Sequence, residues 1–282
     1  MTNALPSRRG GLLLAACLVL GLCTSSSAQQ AAPATGGPPD PKLVEDLVAA
    51  YRILADHNLL DGWGHVSVRS DKDPNRYLMA RGMSADMVTA KDIIEFDLDS
   101  RPVDTHGLPM NALFTERYIH GEIYKARPDV IAVVHTHAPS LIPFGDTKVP
   151  LQPMYHRAAF IALGVPVFEI REKAGMTDML IRNPVLGHNL AEALGDHPAI
   201  LMRGHGAAIT GPNLQRVVAR TIFLSLDATL QAEAMKMGTP ITYLAPEEAR
   251  LIEAREGHGL ARTWEGWKHK VMGTDAMAPA TK

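Results

Sequence analysis

ERYIHGEIYKARPDVIAVVHTHAP, Glu116 to Pro139, decides how the rest of the chain is read. Its first half belongs to a helix expected over Asn111 to about Arg127, with Pro128 ending it or lying just beyond. DVIAVVHTH then reads as a strand. Its apolar run is almost unbroken, as in a sheet covered on both faces. Two chemistries follow from these assignments. Glu116 and His120 are four apart on the expected helix and share a face. His135 and His137 stand at i and i+2 on the strand, so both imidazoles face one way and Thr136 the other. Such a pair either grips a metal or ends a strand with ordinary hydrogen bonds.

Working outward, Pro41 to about Leu60 reads as a helix, with Leu43, Leu47, Ala50 and Leu54 at helical spacing. Trp63–Ser70, Tyr77–Arg81 and the run IIEFDLD read as strands, the last two joined by a turning segment. Beyond the histidine pair come a short strand around PVFEI and a helix over Pro184–Leu194. AILMRGHGAAIT reads as strand, glycine loop, strand. A long helix over Leu214 to about Gly238 and a short one over PEEARLIEAREG close the pattern, and the last dozen residues read as unfolded. Helices and strands interleave without internal repeat, which indicates one layered α/β domain. A dinucleotide fold is disfavoured, because no GxGxxG follows the first strand.

The 282 residues are 46% hydrophobic and carry a formal net charge of -2, enough to bury a sizeable core. No basic stripe points to a nucleic-acid partner. Arg8-Arg9, an apolar run over Gly11–Leu22 and the small residues Ser26 and Ala28 have the layout of an export signal, cut after Ala28. The arginine pair partly resembles a twin-arginine signal. The expected address is periplasmic or secreted, with no stable membrane insertion after cleavage, since the run is short for a span. Both cysteines, Cys17 and Cys23, lie in this leader, so the mature chain has no thiol chemistry. The expected organisation is a signal peptide over 1–28, a flexible linker over 29–41, an α/β domain over 42–245, and a C-terminal helix and tail over 246–282.

His205, between Gly204 and Gly206, is the third candidate ligand. Small neighbours let a backbone turn sharply and approach a site. Three histidines make a neutral, nitrogen-rich shell for a divalent metal; spacing alone does not show whether they converge. Zinc suits three nitrogens with an open position, and manganese, iron and cobalt also fit. Glu116 is the candidate ligand or acid/base, and His120 either orients another group or packs against backbone. On the long helix, Arg216, Arg220 and Asp227 read either as an interface or as part of an amphipathic core helix. Trp264 and Trp267 either cover a neighbouring subunit or pack on their own.

These residues carry a resemblance. The HxH strand, the GHG loop and the glutamate nineteen residues before the first histidine resemble the class II aldolase/adducin family over about Leu43 to Tyr243. The resemblance implies a three-layer α/β/α fold around a mostly antiparallel sheet. It also implies a metal on His135, His137 and His205, Glu116 as catalytic acid/base, a small-molecule substrate and a homo-oligomer, a tetramer above all. The departures matter. Sugar-phosphate aldolases of the family hold the phosphate with a GNxS stretch, a TG pair and a serine pair. Here those stretches are WGHVS with His65, Arg81-Gly82, and Phe114-Thr115. WGHVSVR with ERYIHGEIY is instead similar to the aromatic-acid decarboxylase branch. That similarity implies a metal-dependent carbon–carbon lyase on an unphosphorylated hydroxy or dihydroxy-aromatic acid. His65, Arg81 and His120 are then catalytic candidates, with Arg81 facing the leaving carboxylate, and His156 and Thr115 are substrate-binding candidates. The competing readings are a sugar-phosphate aldolase and an exported, non-catalytic binder of metal or oxyacid.

Overall fold

A computed structural model describes residues 1–2, 32–255 and 259–273. The chain divides into Met1–Ala31 and Ala32–Lys282, and the fold concerns the second unit. The leader expected over 1–28 lies almost wholly outside the described residues, as does the tail beyond 273.

Seven strands form one sheet: β1 (His65–Arg69), β2 (Arg76–Ala80), β3 (Ile93–Asp97), β4 (Ala132–Thr136), β5 (Val167–Phe168), β6 (Ala199–Met202) and β7 (Gly206–Gly211). Their order is β3-β2-β1-β4-β7-β6-β5, antiparallel throughout except β5 beside β6. Eight helices accompany them among the described residues: α1 (Pro41–Asp56), α2 (Tyr118–Ala126), α3 (Ile142–Asp146), α4 (Arg171–Ala174), α5 (Pro184–Leu194), α6 (Leu214–Lys236), α7 (Pro246–Glu253) and α8 (Leu260–Met272). None is long and apolar enough to cross a membrane. On one face of the sheet α1, α6 and α8 bury Leu54, Val66, Val68, Val134, Val218 and Trp264. On the other, α2 and α5 bury Ile119, Ile123, Val133, Leu190 and Ile200. Val133 and Val134 thus enter opposite cores, as an unbroken apolar strand requires. The three-layer, mostly antiparallel α/β expectation holds.

Capping explains several boundaries. Asp40 accepts from Lys42 N at 2.9 Å with Pro41 in the first turn of α1, and Asn183 accepts from Leu186 N at 3.0 Å with Pro184 beginning α5. α1 ends at Asp56, short of the expected Leu60. Asn58 takes a positive φ of 56° and turns the chain out, leaving Leu59 and Leu60 buried as loop residues.

The helix expected from Asn111 starts only at Tyr118. Short 3₁₀ turns over Met110–Ala112 and Thr115–Arg117 precede it, and Glu116 has non-helical angles (φ -92°, ψ 18°). Arg117 ties this turn down, donating to Ser100 O at 2.9 Å and Phe114 O at 3.0 Å. Glu116 and His120 therefore do not share a helix face. Each serves a different cluster.

The C-terminal residues hold one more helix than expected. α8 packs on its own chain: Trp264 is buried, Trp267 meets the rings of His57 and Phe223, and buried Lys268 pairs with Asp46 at 2.7 Å. On α6, Asp227 accepts the amides of Met154 and Tyr155 at 2.9 and 2.7 Å, so this helix anchors its own fold.

Candidate metal centre and adjoining pocket

His135 stands one residue before the end of β4, between His65 on β1 and Ala208 on β7. Thr136 turns to the opposite face, where its hydroxyl donates to Leu59 O. His137 lies just past the strand, yet its Nε2 is 3.0 Å from His135 Nε2. His205 sits in the tight β6–β7 turn and brings its Nε2 to 3.2 Å from His137 Nε2. That turn needs both of its glycines. Gly204 takes a φ of 63°, and a Cβ on Gly206 would fall 2.0 Å from Thr136 O. Glu116 completes the group, with Oε2 3.5 Å from His135 Nε2 and 3.3 Å from His205 Nε2. One ligand atom from each of the four residues lies within 4.8 Å of the others.

The outer nitrogens decide what this group can do. His135 Nδ1 lies 3.1 Å from Ala207 O, an acceptor only, so it carries the proton. His137 Nδ1 lies 3.0 Å from the Asp61 carboxylate and is protonated for the same reason. Both Nε2 atoms then carry lone pairs, and they face each other across 3.0 Å. Two lone pairs repel at that distance unless a cation lies between them. Three imidazoles and a carboxylate therefore fit a divalent ion by donor chemistry as well as by placement.

Glu116 contributes one free oxygen. Its Oε1 accepts from Ile181 N at 2.8 Å, leaving Oε2 for the cluster. Burial pushes its carboxyl up, and only imidazoles protonated on Nε2 at His135 and His205 pull it below the usual range. Asp61 shows the same direction. Burial raises it, and the amides of Trp63 and Gly64 together with His137 bring it down.

A cavity of about 450 Å³ opens beside the cluster. His65, Phe114, Trp63, Thr115 and Leu180 line it together with Glu116, His137 and His205. Among the described residues no lysine or arginine does. Thr115 is thus at the pocket. Arg81 is not: its Nε donates to Asp92 Oδ1 at 2.8 Å, which takes the guanidinium away from the site. His156 is exposed at the start of a 3₁₀ turn, its ring against Tyr155, and lines no part of the cavity. His120 is fully buried one layer behind His65 rather than in the cluster.

Sequence reasoning passed over Asp61, Trp63, Ser67 and Tyr124. Asp61 was visible only as part of a polar turn, LLDGWGH. The strand HVSVR did carry a signal, since His65, Ser67 and Arg69 alternate with valines on a buried element.

Comparison with known proteins agrees with this geometry. The chain is 31% identical over 251 residues to decarboxylase tropJ of Talaromyces stipitatus, covering 81% of this chain and 93% of that one. It is 27% identical over 238 residues to a 3,4-dihydroxyphthalate decarboxylase of Arthrobacter keyseri, covering 80% and 92%. Among solved structures, an aldolase II superfamily protein from Pseudomonas syringae superposes with a TM-score of 0.70 at 24% identity, covering 85% and 96%. Residues 45–232 match the family model of the class II aldolase and adducin N-terminal domain. With that match spanning the sheet, the histidine cluster and Glu116, the chain belongs to the class II aldolase/adducin family.

Proposed function

We propose that this chain is a metal-dependent carbon–carbon lyase that decarboxylates an unphosphorylated hydroxy- or dihydroxy-aromatic acid. One observation carries the reading: a cluster of inward lone pairs opens onto a cavity lined by aromatic rings and, among the described residues, by no lysine or arginine. Among the described residues a dianionic phosphate would find no cationic side chain there, whereas Trp63 and Phe114 offer aromatic surface to a ring. The two decarboxylase relatives support the same class of reaction.

His135, His137 and His205 would hold the ion, with zinc best suited to three nitrogens and manganese, iron or cobalt also fitting. Such an ion supplies a Lewis acid that stabilises negative charge on oxygen beside the breaking bond. The rest falls to the chain's own groups. Glu116, ionised and fixed through Oε1, takes the proton of a ring hydroxyl on Oε2. The carbon–carbon bond to the carboxylate breaks, its electron pair stays on the ring carbon, and carbon dioxide leaves. Glu116 then returns the proton to that carbon. The buried Phe114 ring offers the substrate an apolar wall.

The layout of residues 1–28 supports an exported protein, acting on a substrate met outside the cytoplasm. The family resemblance supports a homotetramer.

Carbon dioxide release from 2,3-dihydroxybenzoate and 3,4-dihydroxyphthalate, against cleavage of a sugar 1-phosphate, tests the proposal. The expected result is release from an aromatic acid and no cleavage of the sugar phosphate. Glu116→Gln should slow that release by about 10²- to 10⁴-fold. Cleavage of the sugar phosphate alone would overturn the assignment. Tight binding of the acids without turnover would point to a non-catalytic acid-binding protein.

A further inference from the structure

Behind the pocket wall, four buried polar side chains are joined end to end. His65 Nδ1 lies 2.6 Å from His120 Nε2, and His120 Nδ1 lies 2.6 Å from Ser67 Oγ. Ser67 Oγ lies 2.7 Å from the Tyr124 hydroxyl. None of the four is more than 1% exposed. Backbone geometry sets them out: His65 and Ser67 alternate on β1, and His120 and Tyr124 are one turn apart on α2. The 2.6 Å contact between the two rings needs a proton on one nitrogen and a lone pair on the other, and burial of both rings disfavours a second proton. Each ring therefore offers one N–H and one lone pair, and the direction of each link fixes the next.

Tyr124 sets that direction. Its hydroxyl has two acceptors within reach: Ser67 Oγ at 2.7 Å and Ile131 O at 3.4 Å. Ile131 O already accepts from Arg69 N at 2.7 Å within the sheet. The shorter bond takes the tyrosine proton. Ser67 then donates to His120 Nδ1, and His120 donates from Nε2 to His65 Nδ1. His65 is left with its proton on Nε2, the nitrogen on the far side of the ring from His120. The reverse direction would spend the tyrosine proton on the 3.4 Å contact.

We propose that Tyr124, Ser67 and His120 are positioning residues that lock His65 as the Nε2–H tautomer, giving the pocket a fixed neutral donor for the carboxylate of the bound acid. This rests on the reading of the cavity as an aromatic-acid site. The cavity contains two carboxylates, Asp61 and Glu116, and, among the described residues, no lysine or arginine, so an entering carboxylate needs a donor of this kind. His65 supplies it beside Phe114, whose ring centroid is 4.6 Å away. A donor fixed in advance costs no reorganisation when the anion arrives.

Nitrogen NMR of the zinc-loaded protein carrying ¹⁵N-histidine reads the lock directly. His65→Gln and His120→Gln identify the two signals. Both rings should show a protonated Nε2 and a bare Nδ1. A proton on His65 Nδ1, or rapid averaging between the two nitrogens, overturns the proposal, and this reading needs only the wild-type fold. Calorimetric binding of 2,3-dihydroxybenzoate and of catechol then tests the role. Tyr124→Phe and Ser67→Ala should weaken the benzoate about tenfold and leave catechol unchanged. Tyr124→Phe should also show a second His65 tautomer. Equal loss for both ligands, or none, overturns the donor role. If the wild type binds neither ligand, the aromatic-acid reading itself fails and takes the donor role with it, while the nitrogen spectra still decide the tautomer.

Discussion

Two histidine groups lie side by side in this fold and are wired in opposite ways. The rings of His65 and His135 are 5.0 Å apart, on neighbouring strands. In the group of His135, His137 and His205, the outer nitrogens of the first two face pure acceptors, Ala207 O and Asp61. Their lone pairs are forced inward, and the group is incomplete without a cation. In the group of His65 and His120, donors and acceptors alternate through Ser67 to Tyr124, and the hydrogen bonds close without one. The same side chain is thus a ligand in one place and a relay in the other. The atom beyond the far ring nitrogen makes the difference.

Acid should destabilise the fold through the relay group. A free imidazole takes its proton near 6.5, but folded His120 does so only near 3. Between those values the unfolded chain holds the extra proton. The stabilisation is therefore present above about 6.5 and is lost as pH falls towards 3. The total is on the order of 5 kcal/mol. Denaturant midpoints of the wild type and His120→Gln at pH 7 and pH 4 measure it. The wild type should lose more stability than the variant, and parallel losses would contradict the account.

The metal group should respond to its outer partner. Asp61→Asn replaces a pure acceptor with an amide that can present either end, so His137 loses its fixed tautomer. Metal affinity should fall about 10- to 100-fold in a chelator competition. An unchanged affinity would show that Asp61 serves only the Trp63–Gly64 turn, whose amides it also accepts at 2.8 Å.

The smallest effect is expected outside both groups. Arg81→Ala removes a partly exposed pair with Asp92, worth less than about 1 kcal/mol. It should leave the preference for dihydroxybenzoate over catechol untouched. A marked loss of that preference would restore Arg81 as the carboxylate's partner.

The contrast between the groups also marks what the sequence made legible. His135 and His137 are set by strand alternation, and the GHG loop by what glycine permits, so the ligands were readable from local rules. The apolar run before them was enough to expect a sheet covered on both faces. Glu116 was found through the family pattern, but its setting was misread. A turn held by Arg117 replaces the first part of the expected helix, and its contact with Ser100 spans seventeen residues. Arg81 and His156 looked equally functional because their chemistry is right. Only the fold shows that Asp92 occupies one and that the other faces solvent. Asp61, Ser67 and Tyr124 act through a partner's far nitrogen, a relation that no spacing rule encodes. α8 was missed although Trp264, Trp267, Val271 and Met272 form its apolar face, because they are set among many polar residues near the chain's end.

The inward-facing lone pairs of His135 and His137 are the centre of this account. Elemental analysis of the purified protein, beside a variant with both histidines changed to alanine, tests them most directly. The account predicts about one equivalent of a transition metal per chain in the wild type and almost none in the variant. A wild type that takes up no metal, even when zinc, manganese, iron and cobalt are supplied in turn, would contradict it.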